Sequence, residues 1–120
     1  MTGAGDGDAY GCGYGQSVVG DGYPAGVGWV VVARGELDQD TLVPLEEALT
    51  AAAGLHPLVV LDAGSITFGD SSFLNLLLRL HHLTTLRIAA PGEQLRRLFA
   101  VTGADTVLSL HTSVEAAVGS

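Results

Sequence analysis

The sequence predicts a single α/β domain built on a largely parallel central sheet. Three observations carry that expectation. Trp29–Ala33 and Leu58–Asp62 are continuous apolar strands, and Leu86–Ala90 is apolar but for Arg87, which is the pattern of strands covered on both faces. The segments between them place leucines at helical spacing, so strands and helices alternate along the chain. The length of 120 residues, 48% of them hydrophobic, allows one real core but not two.

The elements follow in order. Residues 1–15 are mostly glycine, aspartate and tyrosine without hydrophobic period; they cannot offset their ordering entropy and are predicted to be a disordered tail. The domain proper is expected over residues 16–120. The tail's glycines do not make a phosphate loop, because no GxxxxGK[ST] string is present and no strand precedes them. Gln16–Val19 is a candidate edge strand, and Gly20–Gly28 reads as turn chemistry. Trp29–Ala33 is a β-branched strand that ends at Arg34-Gly35. Asp40 or Thr41 then caps a helix carrying Leu42, Leu45, Leu49, Ala52 and Ala53, with Pro44 in its first turn and Gly54 as its stop. After the Leu58–Asp62 strand, Asp70 caps a leucine-rich helix running to about Leu83. Leu86–Ala90 is a strand. Pro91 opens a helix through Val101, with Leu95, Leu98 and Phe99 on one side and Gly103 at its end. Val107–Leu110 is a short strand or turn, and Ser113 caps a last helix, Val114–Val118. The chain contains no internal repeat.

Charge narrows the function. The net charge is −8, with five arginines and no lysine. Nucleic-acid binding, which needs a concentrated basic face, is not expected. An acidic domain instead suits a basic protein partner. No apolar run approaches the roughly 18 residues of a membrane span. The N-terminus lacks the basic start and apolar core of a signal peptide, so a cytoplasmic location and no membrane association are expected. The single cysteine, Cys12, leaves no internal disulfide and fits a reducing compartment.

The most informative stretch is Thr67-Phe68-Gly69-Asp70-Ser71-Ser72, where two hydroxyls sit at a strand-to-helix corner. A helix N-terminus carries unpaired N–H groups and partial positive charge, so a phosphate added there is partly stabilised. On a helical wheel Ser71, Ser72, Asn75, Arg79 and His82 form one polar strip about 100° wide. Phe73, Leu74, Leu76, Leu77, Leu80 and Leu83 fill the remaining arc, and Leu78 borders the strip. Asp70 and Ser71 also suit simple capping, but one cap suffices, which leaves both hydroxyls available. Gly69 gives the corner room for close approach by another molecule.

Catalysis is not expected. A serine nucleophile needs a base within reach. His82 lies too far along the helix, and His56 and His111 approach only through the fold. GxSxG is absent. His81 and His82 diverge on the helix and have no ligand cluster beside them, so neither a metal site nor a cofactor is expected. A second acidic group, Gly35-Glu36-Leu37-Asp38-Gln39-Asp40, follows the first strong strand. In a parallel sheet Asp38 and Asp70 then line one rim; the alternative is a solvated loop in which Asp40 is an N-cap.

Gly35-Glu36-Leu37-Asp38 after a valine strand, then Leu61-Asp62 and Phe68-Gly69-Asp70-Ser71-Ser72 before a leucine helix, resemble the STAS domain, and in particular the bacterial anti-sigma factor antagonists. The resemblance runs from about Trp29 to Ala117. It implies a mixed sheet of four or five strands with about four helices, mainly on one side. It also implies partner switching: the domain binds an anti-sigma factor that is itself a serine kinase and frees the sigma factor. The kinase then phosphorylates Ser71 and the complex dissociates, and a serine phosphatase resets the cycle. Asp38, Gly69, Asp70, Ser72, Asn75 and Arg79 are the candidate partner-binding residues. One position departs from the family's D-S-S-G string, because Phe73 stands where the glycine would be. Its place on the wheel predicts that it packs inward and leaves Ser71 usable; the alternatives are altered partner specificity or a poor kinase substrate.

Overall fold

Alternate residues of the two longest strands feed opposite faces of one sheet, and this sets the architecture. In the computed structural model, which describes residues 18–20 and 22–119, the chain runs β1 (Tyr23–Ala25), β2 (Gly28–Leu37), α1 (Val43–Leu55), β3 (Leu58–Gly69), α2 (Ser71–His81), β4 (Thr85–Ala89), α3 (Glu93–Thr102), a 3-10 turn (Ala104–Thr106), β5 (Ser109–His111) and α4 (Val114–Gly119). The five strands lie in sequence order; β1 is antiparallel to β2, and all other neighbours are parallel. The tail expected over residues 1–15, and Gln16 and Ser17 of the candidate edge strand, lie outside the described residues.

Val31, Val59, Leu61 and Ile88 face the main core, which α1, α2 and α3 close with Leu45, Leu49, Phe73, Leu76, Leu77, Leu80, Leu95 and Phe99. Val30, Leu58, Val60 and Ala89 face the other way, into a smaller core under α4 with Ala117. Period-two alternation thus explains why these strands read as continuous apolar runs: both faces are covered. Burying one such aliphatic side chain contributes about 1.5–3 kcal/mol.

Several boundaries differ from the sequence reading. The Gly20–Gly28 stretch is not all turn. Tyr23–Ala25 forms β1, joined to β2 by a two-residue Gly26-Val27 turn whose glycine has φ 58°, suiting the tight hairpin connection. Val19 bridges Ala33, so the candidate edge strand shrinks to an isolated pairing. Both long strands overrun their apolar centres. β2 continues through Gly35-Glu36-Leu37 by way of two register shifts, with Gly35 at φ 77°; the bulge needs that left-handed residue. Neither Asp40 nor Thr41 caps α1. Leu42 occupies the cap position without a side-chain bond, and the helix passes Gly54 to end at Leu55. α2 stops at His81, leaving Leu83 66% exposed beyond it rather than in the buried arc. α3 starts at Glu93, two residues after Pro91, and ends at Gly103 with φ 80°, as expected. The last strand is Ser109–His111, and Ser113 Oγ accepts the Ala116 N–H at the start of α4.

Candidate phosphoacceptor and partner-binding site

The site forms where β2 and β3 end together. Leu37 pairs with Gly69, and the Asp70 N–H donates to the Leu37 carbonyl at 3.2 Å. The residues that follow, Asp38 and Asp70, therefore leave the sheet at one edge, as the parallel arrangement predicts. The two carboxylates do different work.

Asp70 is extended (φ −109°, ψ −169°), and its Oδ1 accepts from the Ser72 N–H at 2.9 Å and the Phe73 N–H at 3.1 Å. It satisfies two of the donors a helix start leaves open. Ser71 follows as the first helical residue, exposed; its hydroxyl makes no hydrogen bond among the described residues. Ser72 is half-buried, while Asn75 and Arg79 continue the exposed strip. Arg79 is not idle: its guanidinium meets Glu46 of α1 at 3.4 Å, both side chains being solvent-exposed. An ion pair of that kind contributes about 0–1 kcal/mol.

Asp38 folds its own loop. Its Oδ1 accepts the N–H groups of Asp40 and Thr41 at 2.9 and 3.1 Å, and Thr41 Oγ1 donates to the Glu36 carbonyl at 2.8 Å. The half-buried Asp38 thus organises the β2–α1 connection, and Thr41 ties it down rather than capping the helix. Asp38, Asp40, Asp70 and exposed Glu36 make this rim strongly acidic.

Gly69 behaves differently from the sequence expectation. It is buried, and a Cβ on it would sit 2.5 Å from Phe73 Cδ2 and 2.8 Å from Leu95 Cδ2. The room left by its missing side chain is taken by the protein's own helices, not left for an incoming molecule. Phe73 is fully buried, pointing away from Ser71 as its place on the wheel predicts. Two residues that sequence reasoning missed also shape the corner. Phe68, 42% exposed, leaves an apolar side chain beside Glu36; its isolation among polar neighbours was the available signal. Gln94 bonds the Gly69 backbone from 25 residues away, and no local pattern could announce that.

The histidines stay apart from Ser71. His56 stacks on Trp29 with ring centroids 5.2 Å apart, His111 bonds Ser109 at 2.7 Å, and the His81 and His82 rings lie beside each other at the far end of α2. None hydrogen-bonds Ser71. Among the described residues, no group of three or more His, Cys, Asp or Glu side chains could hold a metal ion. No helix among them is long and apolar enough to cross a membrane.

Residues 25–111 match the family model described as Mlab, STAS domain. The chain belongs to the STAS-domain family. Among solved structures, this STAS domain is similar to an anti-sigma factor antagonist from Mycobacterium paratuberculosis, with 28% identity, 87% of this chain and 91% of that one covered, and a TM-score of 0.74. It shares its fold with the anti-sigma factor antagonist SpoIIAA in its unphosphorylated form, at 20% identity, 80% and 90% coverage and a TM-score of 0.64. The phosphorylated form of SpoIIAA, a Bacillus cell fate determinant, gives 20% identity, 77% and 89% coverage and a TM-score of 0.59. A comparison with curated protein sequences finds no match. The five-stranded mixed sheet with four helices is thus a STAS fold, and the GELD and F-x-D-S-S strings lie within the matched region.

Proposed function

We propose that this STAS domain is a cytoplasmic anti-sigma factor antagonist that binds a serine-kinase anti-sigma factor and is released by phosphorylation at Ser71. The observation that carries the reading is the exposed Ser71 hydroxyl, without a hydrogen bond among the described residues, at the first helical position behind an aspartate already committed to capping. A hydroxyl spent on capping would resist modification, and here Asp70 makes the cap instead. In the step itself the Ser71 oxygen bonds the γ-phosphorus of ATP as the bond to ADP breaks. The hydroxyl proton passes to a base on the kinase. A serine phosphatase later hydrolyses the ester and restores the hydroxyl.

The acidic rim of Glu36, Asp38, Asp40 and Asp70 complements a basic partner, and the strip of Ser72, Asn75 and Arg79 and the apolar Phe68 extend the face beside it. Gly69 contributes by shaping the corner from beneath. Phosphorylation adds about −1.5 to −2 charges. The helix N-terminus partly accommodates them, but a partner contact matched to a neutral serine does not. The relatives support this reading, since one is an anti-sigma factor antagonist at 28% identity and another is described in both phosphorylation states.

A second reading, a STAS interaction module that is never phosphorylated, is favoured by Phe73 in place of the motif glycine. Burial of Phe73 weakens it, because the ring lies under the corner and does not obstruct Ser71. The purified chain incubated with ATP and each serine-kinase anti-sigma factor of the same genome separates the two. Intact mass and fragmentation are expected to show one phosphate, on Ser71. A well-folded chain that gains none would establish the second reading.

A further inference from the structure

The corner carrying Ser71 is tied to α3 by a residue outside the motif. β3 overshoots β4: the pairing of the two ends at Asp62 with Ala89, yet β3 runs on to Gly69. Its outer segment has β2 on one side only. Gln94, in the first turn of α3, supplies the partner missing on the other. The Gly69 N–H donates to Gln94 Oε1 at 2.9 Å, and Gln94 Nε2 donates to the Gly69 carbonyl at 3.0 Å. A side-chain amide thus imitates one residue of a neighbouring strand, with both of its polar atoms in use.

The bonded residue immediately precedes the cap. The Gly69–Asp70 peptide is held on both sides: its N–H donates to the Leu37 carbonyl of β2, and its carbonyl accepts from Gln94 Nε2 of α3. Leu95 adds a packing contact to the same point, against the bare Cα of Gly69. The direction of the Asp70 carboxylate, and with it the first turn of α2, depends on that peptide plane. A side chain of Gln94's length with one donor and one acceptor fits; a shorter one, or one lacking the donor, does not.

We propose that Gln94 is a positioning residue for the phosphoacceptor, holding the Gly69–Asp70 peptide so that Ser71 is presented to the kinase in one fixed geometry. This rests on the reading of Ser71 as the phosphoacceptor. Gln94 need not touch the partner.

The test uses the full chain with Gln94→Ala, which removes both bonds, and the near-isosteric Gln94→Glu, which keeps the bulk and the acceptor but loses the donor. Amide hydrogen exchange at Gly69, Ser72 and Phe73 is measured against Leu77 and Leu80 as core references. Phosphorylation kinetics are measured with a serine-kinase anti-sigma factor of the same genome. Gln94→Ala is expected to speed exchange at all three amides by about tenfold, and Gln94→Glu, which keeps the acceptor for the Gly69 N–H, at Ser72 and Phe73, while the references hold, because the loss is local. Both variants are expected to lower kcat/KM for phosphorylation by a similar factor. Gln94→Glu behaving as wild type, or corner and core amides accelerating together, would reduce Gln94 to a packing role and overturn the proposal. Phosphorylation of both variants at the wild-type kcat/KM would overturn it while leaving Ser71 as phosphoacceptor. No phosphate on the wild-type chain itself would overturn the Ser71 reading first, and this proposal with it.

Discussion

Ser71, Asp70 and Asp38 follow the paired ends of β2 and β3 but separate into an exposed hydroxyl, a cap and a loop brace. Ser71→Ala removes an exposed hydroxyl with no hydrogen bond among the described residues, so partner binding and thermal stability should both stay at wild-type levels while phosphorylation is lost. Ser71→Asp places a carboxylate at a helix N-terminus, where it favours folding by about 0.3–1 kcal/mol. Melting temperature should therefore hold or rise in that variant even as partner affinity falls, a combination that a misfolding explanation does not produce. Asp38→Ala has a different signature. It removes the acceptor of the Asp40 and Thr41 N–H groups, and a loss of about 1–2 kcal/mol in stability should accompany any loss of affinity, as denaturant melts would show. Reduced affinity with undiminished stability would make Asp38 purely a contact residue.

At the scale of elements, α2 is the piece whose two faces do unrelated jobs. Its polar strip stays in solvent, while Phe73, Leu76, Leu77 and Leu80 anchor the main core. Phe73→Ala should cost about 3–5 kcal/mol by denaturant unfolding, the usual range for a buried ring. Under conditions where the variant is still folded, Ser71 should remain a kinase substrate. Much of this element was legible in the sequence: the capping aspartate, the direction of Phe73 and the exposed strip all follow from 3.6-residue periodicity and cap chemistry. The long strands were legible only at their apolar centres. Gly35–Leu37 and Ala63–Gly69 extend β2 and β3 through bulges and partly exposed residues, where no alternation survives to mark a strand. The start of α1 was misread because Asp38 and Thr41 bond each other's backbone across the loop, leaving no side chain at the cap. A turn and a cap draw on the same residue types.

Over the whole molecule, the parallel register of β2 and β3 makes two distant sequence strings into one site, by pairing Leu37 with Gly69. The alternation of strands and helices foretold that rim. Gln94's bond to Gly69 lay beyond sequence reasoning, because it exists only once α3 packs beside the overshooting end of β3. Net charge also acts at this scale. With −8 overall and an acidic rim, association with a basic partner should slow as salt screens the attraction over about 10 Å at 0.1 M. Stopped-flow association rates across an ionic-strength series should fall steeply, with dissociation little changed. The most direct test of partner switching is calorimetric titration of one serine-kinase anti-sigma factor with the wild-type chain, Ser71→Ala and Ser71→Asp. The first two should bind alike and Ser71→Asp at least about tenfold more weakly, the penalty of a like charge set into a complementary interface. Equal affinity for all three would contradict the account.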